Sequence, residues 1–204
     1  MLARDASALT ALKADGAAPA ATYPDVLSPE ECELVREAVS DQEPISAGVG
    51  LSDRQEGDIR RANLRWLPAD DDSAWLYDRL DSYIELANST VFGFDVVGFE
   101  GPLQYTEYGP GQFFDWHQDI GPGGAGLRKI SVVCLLSHPD EHDGGQLEFP
   151  GGLLGPAPGV EEILSMPPQG TLVLFPSYQL HRVTPVTRGL RRSLVSWVVG
   201  PPLR

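Results

Sequence analysis

Apolar residues recur at helical spacing in the first half of the chain. Ser28-Pro29-Glu30-Glu31 forms a capping box with proline at the first helical position, which predicts a helix start. The apolar residues that follow share one helical face: Cys32, Val35 and Val39. A second helix is expected from Asp70-Asp71-Asp72, acting as its cap, to about Asn88. Its predicted buried stripe consists of Trp75, Leu76, Leu80, Tyr83, Ile84 and Ala87.

A period of two replaces the helical period elsewhere. Between the two helices, a polar loop over 46–57 leads to 61–67, where polar and apolar residues alternate as in a strand. Beyond Val91, short predicted strands alternate with Gly and Pro: 95–99, 103–108, 113–117, 129–137, 146–149, 171–175 and 191–199. Many short strands with regular turns are typical of a sandwich or jelly roll. We therefore expect a mainly β fold with the N-terminal helices packed on one face.

One domain is expected over residues 23–204. A chain of 204 residues with 42% hydrophobic content can bury a full core, and no shift in composition marks an internal boundary. The β core is expected to cover about 95–200, and residues 1–22, which are low in complexity, predict a flexible or helical extension. Cys32 and Cys134 lie far apart without a CxxC pair, so we interpret them as buried thiols.

Charge and hydropathy limit the possible partners. The net charge of -14 repels phosphate backbones, so a nucleic-acid substrate is not expected. No apolar run approaches membrane-spanning length, and the N-terminus lacks the core of a signal peptide. These features predict a cytoplasmic protein without membrane association, and no pattern indicates an oligomeric state.

Two of the four histidines stand in a pattern that can bind a metal ion. His117 and Asp119 are two residues apart on an extended segment, so their side chains point the same way. His181 follows the apolar strand 171–175 and can return across the mouth of a barrel. Two histidines and one carboxylate occupy one face of an octahedron, which is the arrangement of non-heme ferrous oxygenases.

Two other clusters compete as metal sites. His138 and His142 are four residues apart with carboxylates beside them, a spacing that pairs ligands on a helix. However, Gly144-Gly145 and a proline predict a turn here, in which this spacing has no common face, so we interpret the segment as a solvated loop. Asp70-Asp71-Asp72 lacks the spaced oxygen ligands and the glycine of a calcium loop.

An arginine near the C-terminus can anchor a carboxylate. Arg191 opens the last predicted strand, ten residues after His181, and shares a strand face with Ser193 while Arg192 points the other way. A guanidinium in a β-walled pocket suits a bidentate grip on a carboxylate. An isolated pair of arginines can equally decorate the surface of a terminal strand.

Five ordered blocks together resemble the iron(II) and 2-oxoglutarate-dependent dioxygenases, most closely the prolyl-hydroxylase-like branch. The blocks are Tyr105-Thr106-Glu107-Tyr108-Gly109-Pro110-Gly111, Trp116-His117-Gln118-Asp119, Arg128-Lys129-Ile130-Ser131 leading to Leu136-Ser137, Gly144-Gly145-Gln146-Leu147, and Phe175-Pro176-Ser177 through His181 to Arg191. The resemblance covers roughly residues 95–200 and implies a double-stranded β-helix. It also implies that the metal ligands and catalytic residues are His117, Asp119 and His181, with Fe(II) as the metal.

The resemblance implies a cosubstrate pocket beside the metal. Arg191 would bind the distal carboxylate of 2-oxoglutarate, Tyr108 and Ser193 match positions that line the pocket, and dioxygen is the second cosubstrate. Leu135 stands where prolyl hydroxylases often carry a tyrosine that contacts the same carboxylate. Which residue replaces that tyrosine stays open.

The activity that the resemblance implies is hydroxylation of an unactivated C-H bond, with release of succinate and CO2. The substrate would be an amino acid, a peptidyl residue such as prolyl, or a small natural-product intermediate. Candidate substrate contacts are Gln104, Thr106 and Leu147 on inward strand faces and Arg61 on the strand before the roll. Two alternatives stay open: a cupin-like iron enzyme that does not use 2-oxoglutarate, and a non-catalytic jelly-roll binding module.

Overall fold

The computed structural model describes residues 10–12, 20–47, 59–149 and 167–202. The strands are β1 Thr10–Leu12, β2 Ala20–Tyr23, β3 Ile45–Ala47, β4 Arg60–Leu67, β5 Gly98–Phe99, β6 Leu103–Tyr108, β7 Phe113–His117, β8 Arg128–Leu135, β9 His142–Gly144, β10 Leu147–Glu148, β11 Leu172–Pro176, β12 His181–Val183, β13 Val186–Gly189 and β14 Arg191–Val199. The helices are α1 Pro29–Ala38 and α2 Ala74–Ala87, with a π-helical turn at Asn88–Phe92 and 3-10 turns at Gly123–Leu127 and Pro139–Glu141.

Most of the strands belong to one curled antiparallel sheet. Its order is β1-β2-β11-β8-β14-β6-β4-β7-β12-β10, with β3 beside β4 and β5 beside β14. Strand β4 connects the two parts of the sheet: its residues 63–67 pair with β6, and its residues 60 and 61 pair with β7. Strands β9 and β13 form a separate pair. The mainly β architecture predicted from the period of two is confirmed.

Both helices pack on the outer face of the sheet, as the sequence predicted. The buried residues of this layer include Cys32 and Val35 from α1, Leu76, Leu80, Ile84 and Ala87 from α2, and Ile130, Val132, Leu172 and Leu194 from the sheet. The alternate residues of the same strands, among them Val133, Val173 and Phe175, face the inside of the curl. Strand β11, and strand β8 from Val132 onward, are thus apolar on both faces, which explains their continuous apolar sequence there.

The two helix starts differ in how well the sequence predicted them. Ser28 caps α1 as expected: its Oγ accepts from the Glu31 N–H at 3.2 Å, and the Glu31 carboxylate accepts from the Ser28 N–H at 2.9 Å. The prediction that the aspartate run caps α2 is wrong, because the helix begins at Ala74 after Ser73. In the preceding turn, the Asp70 N–H donates to the Ser73 Oγ and the Asp70 carboxylate accepts from the Ser73 N–H, both at 3.1 Å. The carboxylate therefore binds a backbone N–H ahead of the helix rather than one in its first turn.

The described parts of residues 1–22 are strands. Strand β2 pairs with both β1 and β11, and Tyr23 lies opposite Leu172. A helix is therefore the wrong expectation at 10–12 and 20–22, because the open edge of β11 offers partners for an extended segment. Most of the predicted polar loop over 46–57, and the rest of residues 1–22, lie outside the described residues.

The two cysteines behave as buried thiols, as predicted. Cys32 and Cys134 are free and buried, and burial raises the pKa of the Cys32 thiol to about 11. Within the described ranges, no helix is both long enough and apolar enough to cross a membrane.

Candidate metal centre

Three potential metal ligands meet inside the curl of the sheet. His117 ends β7 and lies directly opposite His181, the first residue of β12, in the antiparallel register. The His117 Nε2 atom is 3.6 Å from Asp119 Oδ1, and the His181 Nε2 atom is 3.6 Å from Asp119 Oδ2. Among the described residues these three form the one group of three or more potential ligands whose donor atoms lie within 4.8 Å of one another.

Each histidine is oriented by a backbone carbonyl two residues earlier. The Nδ1 of His117 is 2.8 Å from the Asp115 carbonyl oxygen, and the Nδ1 of His181 is 2.9 Å from the Gln179 carbonyl oxygen. A carbonyl can only accept, so each Nδ1 carries the proton and each Nε2 keeps its lone pair for a metal. The Phe114 ring stacks on the His117 ring at 3.4 Å between centroids and fixes its plane.

Asp119 is held as a charged ligand. Burial raises its pKa, but the imidazole of His117, the nearby His181 and the Ser131 hydroxyl outweigh burial, so the pKa lies below the ordinary value. The Ser131 Oγ donates to Asp119 Oδ2 at 2.6 Å and is 3.0 Å from the Ser177 Oγ, while the Asp119 N–H donates to the Ser177 carbonyl at 2.9 Å. Burial also lowers the pKa of His181, which favours its neutral, metal-binding form.

The donor set fits ferrous iron. Ligand atoms about 2.1 Å from one ion and at right angles lie about 3 Å apart, so the two 3.6 Å separations need only a small closure. The two imidazoles and the carboxylate would hold ferrous iron from one side and would leave its other side open to a cosubstrate and dioxygen. The side chains of His181 and Asp119 are only 5% and 8% exposed, which shields this side from bulk water.

Arg191 lies in the same cavity as the triad. It opens β14 opposite Tyr108 on β6, is 3% exposed, and places its guanidinium 5.5 Å from the Tyr108 ring centroid. Among the described residues, the Arg191 guanidinium donates a hydrogen bond of 3.1 Å to the Ser193 Oγ. Burial lowers the pKa of Arg191, and Tyr108 partly opposes this effect. Among the described residues no carboxylate forms an ion pair with the Arg191 guanidinium. The residues predicted around a cosubstrate carboxylate, Arg191, Tyr108 and Ser193, are therefore brought together.

A second cavity adjoins Arg191. Arg191 and Leu147 line both cavities, and the second one is also lined by Leu135, Ser137 and His142. The side chain of Leu135 contributes no polar atom to this cavity. The prediction of a solvated loop over 137–145 is wrong for His142, which is buried because β9 pairs with β13 and directs it inward.

Among the described residues, His138 and His142 do not belong to a group of three or more potential metal ligands. The His138 Nδ1 accepts from the Asp140 N–H at 3.2 Å, and the His142 Nδ1 is 3.0 Å from the Gly144 carbonyl oxygen. The His138 side chain is 57% exposed, whereas His142 is buried, so the two imidazoles have different environments. The interpretation that their spacing gives no common face agrees with these positions.

The residues predicted to contact a substrate have mixed positions. Gln104 and Leu147 line the cavity of the triad, whereas Thr106 is fully buried and accepts a hydrogen bond of 2.8 Å from the Gln104 amide. In the described part of the chain, Arg61 is not among the residues lining this cavity; its guanidinium lies over the Phe113 ring. Adjacent residues of a strand point to opposite faces, so it is Arg60 that lines the cavity.

Comparison with known proteins identifies the family. Residues 103–199 match the family model described as the 2OG-Fe(II) oxygenase superfamily. A PKHD-type hydroxylase of Paraburkholderia phymatum is 30% identical over 183 residues, covering 87% of this chain and 77% of that protein. A PKHD-type hydroxylase of Burkholderia ambifaria is 38% identical over 102 residues, which is 48% of this chain and 42% of the relative. In that comparison the chain thus spans less than half of the relative's length.

Solved structures show the same fold. A Pseudomonas putida prolyl-4-hydroxylase superposes with a TM-score of 0.65 at 25% identity, covering 89% of this chain and 92% of that one. The viral collagen prolyl hydroxylase of Paramecium Bursaria Chlorella virus-1 superposes with a TM-score of 0.63 at 22% identity, covering 92% and 98%. The jelly-roll prediction is confirmed. Fe(II) and 2-oxoglutarate are the cofactor and cosubstrate of the matched oxygenase superfamily. The chain belongs to the 2OG-Fe(II) oxygenase superfamily, as a hydroxylase-like member with an intact His117, Asp119 and His181 triad.

Proposed function

We propose that this protein hydroxylates an unactivated C-H bond of a small molecule or peptidyl residue. The overall reaction converts R-H, O2 and 2-oxoglutarate into R-OH, succinate and CO2, so one oxygen atom enters the product and the other enters succinate. The observation that carries the proposal is the buried Arg191, which lies in the same cavity as the triad and pairs with no carboxylate in the part of the chain that the structure describes. A dicarboxylate that chelates the metal at one end meets this charge at the other.

The chain's own residues position and shield the reaction. When bound, ferrous iron supplies the activation of dioxygen. His117 and His181 present Nε2 to the metal through their carbonyl-bound Nδ1 atoms, and Asp119 supplies the negative charge that Ser131 stabilises. Arg191 sets the direction of the cosubstrate, which leaves the remaining space of the cavity for the primary substrate.

Two other candidate functions receive less support. A cupin-like enzyme without 2-oxoglutarate gives Arg191 no role, although burying an unpaired guanidinium is costly. A non-catalytic binding module gives the oriented Nε2 atoms of His117 and His181 no role. The peptidyl, amino-acid and natural-product options all remain within the proposed class.

Spectroscopy and succinate release test the proposal together. Anaerobic addition of Fe(II) and 2-oxoglutarate to the wild type should produce the visible metal-to-ligand charge-transfer band, and Asp119→Ala should remove it. Arg191→Gln should raise the 2-oxoglutarate requirement far more than it weakens iron binding. Arg192→Gln is the matched control, because Arg192 pairs with Glu107 and Glu141 on the other strand face. Absence of the band in the wild type, or an unchanged requirement in Arg191→Gln, contradicts the proposed function.

A further inference from the structure

Arg60 brings a half-buried guanidinium into the cavity of the triad, and among the described residues it forms no ion pair with a carboxylate. It is the first residue of β4 and lines this cavity together with His117, Asp119 and His181. Its Nε atom is buried and has no hydrogen-bond partner in the described structure. In contrast, six other arginines each contact a carboxylate: Arg36, Arg79, Arg128, Arg182, Arg188 and Arg192.

The position of Arg60 is well defined. Its guanidinium lies 4.7 Å from the centroid of the Phe114 ring, and Phe114 in turn stacks on His117 at 3.4 Å. Residues Arg60 and Phe114 are also register partners of β4 and β7. The cation is therefore held one aromatic ring away from a metal ligand, where it can meet the reacting end of a substrate.

A second unused donor lines the same cavity. The indole Nε1 of Trp197 is buried and likewise has no hydrogen-bond partner in the described residues. The Trp197 Nε1–H and the Arg60 Nε–H can only donate, and a ligand in the cavity can supply the acceptor atoms that both lack among the described residues. A buried N–H group without an acceptor costs free energy. The chain has a net charge of -14 and therefore many carboxylates, yet none accepts a hydrogen bond from the Arg60 Nε or the Trp197 Nε1 in the described residues.

We propose that Arg60 binds a carboxylate of the primary substrate, which makes the substrate a carboxylate-bearing molecule such as a free amino acid. This inference rests on the proposed function, in which the metal and Arg191 already take both ends of 2-oxoglutarate. An internal peptidyl residue offers only neutral backbone acceptors to the Arg60 guanidinium, whereas a carboxylate offers a charged acceptor, which forms the stronger hydrogen bond. The Trp197 N–H donates to a further acceptor of the same substrate.

The test uses free L-amino acids and their carboxamides as matched probes. With Fe(II) and saturating 2-oxoglutarate, the wild-type acids should stimulate succinate release with kcat/KM about 10 to 100 times that of the amides, which is the usual value of a hydrogen bond to a charged group. Arg60→Gln should erase this preference, and Arg60→Lys should restore part of it. Arg61→Gln is the matched control, because Arg61 lies on the opposite strand face over Phe113.

Binding gives a readout that does not depend on turnover. Under anaerobic conditions, the change that each probe causes in the charge-transfer band measures its Kd, and the acid-over-amide preference in Kd should disappear in Arg60→Gln. Equal response to acids and amides in the wild type, or an acid preference that survives in Arg60→Gln, overturns the inference. So does a raised Kd for 2-oxoglutarate itself in Arg60→Gln, because Arg60 would then belong to the cosubstrate site. A missing band in the wild type would refute the proposed function, whereas a normal band without acid preference refutes the role of Arg60 alone.

Discussion

Ser131→Ala should weaken ferrous iron binding although it replaces none of the three metal ligands. The hydroxyl is fully buried and donates to Asp119 Oδ2 at 2.6 Å, so its removal leaves a buried carboxylate oxygen without this donor. A hydrogen bond to a charged group contributes about 1.5 to 3 kcal/mol, which corresponds to a factor of about 10 to 150 in affinity. Losses of about 10 to 100 fold are usual when a residue that supports a metal ligand is removed. We therefore expect the Kd for Fe(II) to rise about 10 to 100 fold.

Ser137→Ala is the control for the general cost of deleting a buried serine. The Ser137 Oγ donates to the Leu190 carbonyl at 3.0 Å and accepts from the Arg192 N–H at 2.9 Å, away from the triad. Both variants should lower the free energy of unfolding, but only Ser131→Ala should change the metal titration, measured anaerobically with Fe(II) or by Mn(II) electron paramagnetic resonance. Wild-type affinity in Ser131→Ala, or an equal loss in Ser137→Ala, would show that the hydroxyl does not act through Asp119.

Three further predictions address the surroundings of the site. Gly145→Ala should raise the Kd for 2-oxoglutarate as well as lower Tm. Gly145 has a φ of +71°, and an added Cβ would lie 2.7 Å from the Arg191 Cδ, so the guanidinium would have to move. Calorimetric titration measures the Kd, and a melting curve measures Tm. Glu141→Gln should lower Tm at neutral pH: burial raises the pKa of Glu141, but Arg36 and other donors outweigh burial and hold it below its ordinary value of 4.5. Because the folded pKa is depressed, the stabilisation is present above pH 4.5 and lost as the pH falls through the folded pKa, so the two melting curves should converge in acid; a gap that persists there contradicts the sign. Ser28→Ala should cost about 1 kcal/mol in urea unfolding through loss of the α1 cap, and no loss would mean that the capping box does not stabilise the helix.

Local patterns predicted most of the elements that position the site. Strands β6, β7 and β14 have the bounds that the sequence predicted, because alternation and flanking Gly or Pro residues define both ends. The face shared by Arg191 and Ser193 followed from the same period of two. The metal triad could not be predicted from local patterns alone, because spacing cannot show that a histidine 64 residues away lies opposite His117.

The features that the sequence did not predict depend on contacts distant in the chain. Strands β9, β12 and β13 are three or four residues long, too short for a period, and exist because each pairs with another strand. The burial of His142 follows from one of these pairs. Arg60 could have been found, because counting in twos places it with the apolar Ala62 and Leu64 rather than with Arg61.

The opposition of His117 and His181 has a consequence for folding kinetics. Each imidazole is oriented by a carbonyl only two residues away, so both half-sites can form locally and early. The two histidines come together only when β7 pairs with β12, which closes a long loop of the chain. Such non-local pairings form slowly because chain entropy opposes them. Tight iron binding should therefore arise late in refolding, and the rate at which a refolding chain acquires metal affinity reports the closure of the sheet.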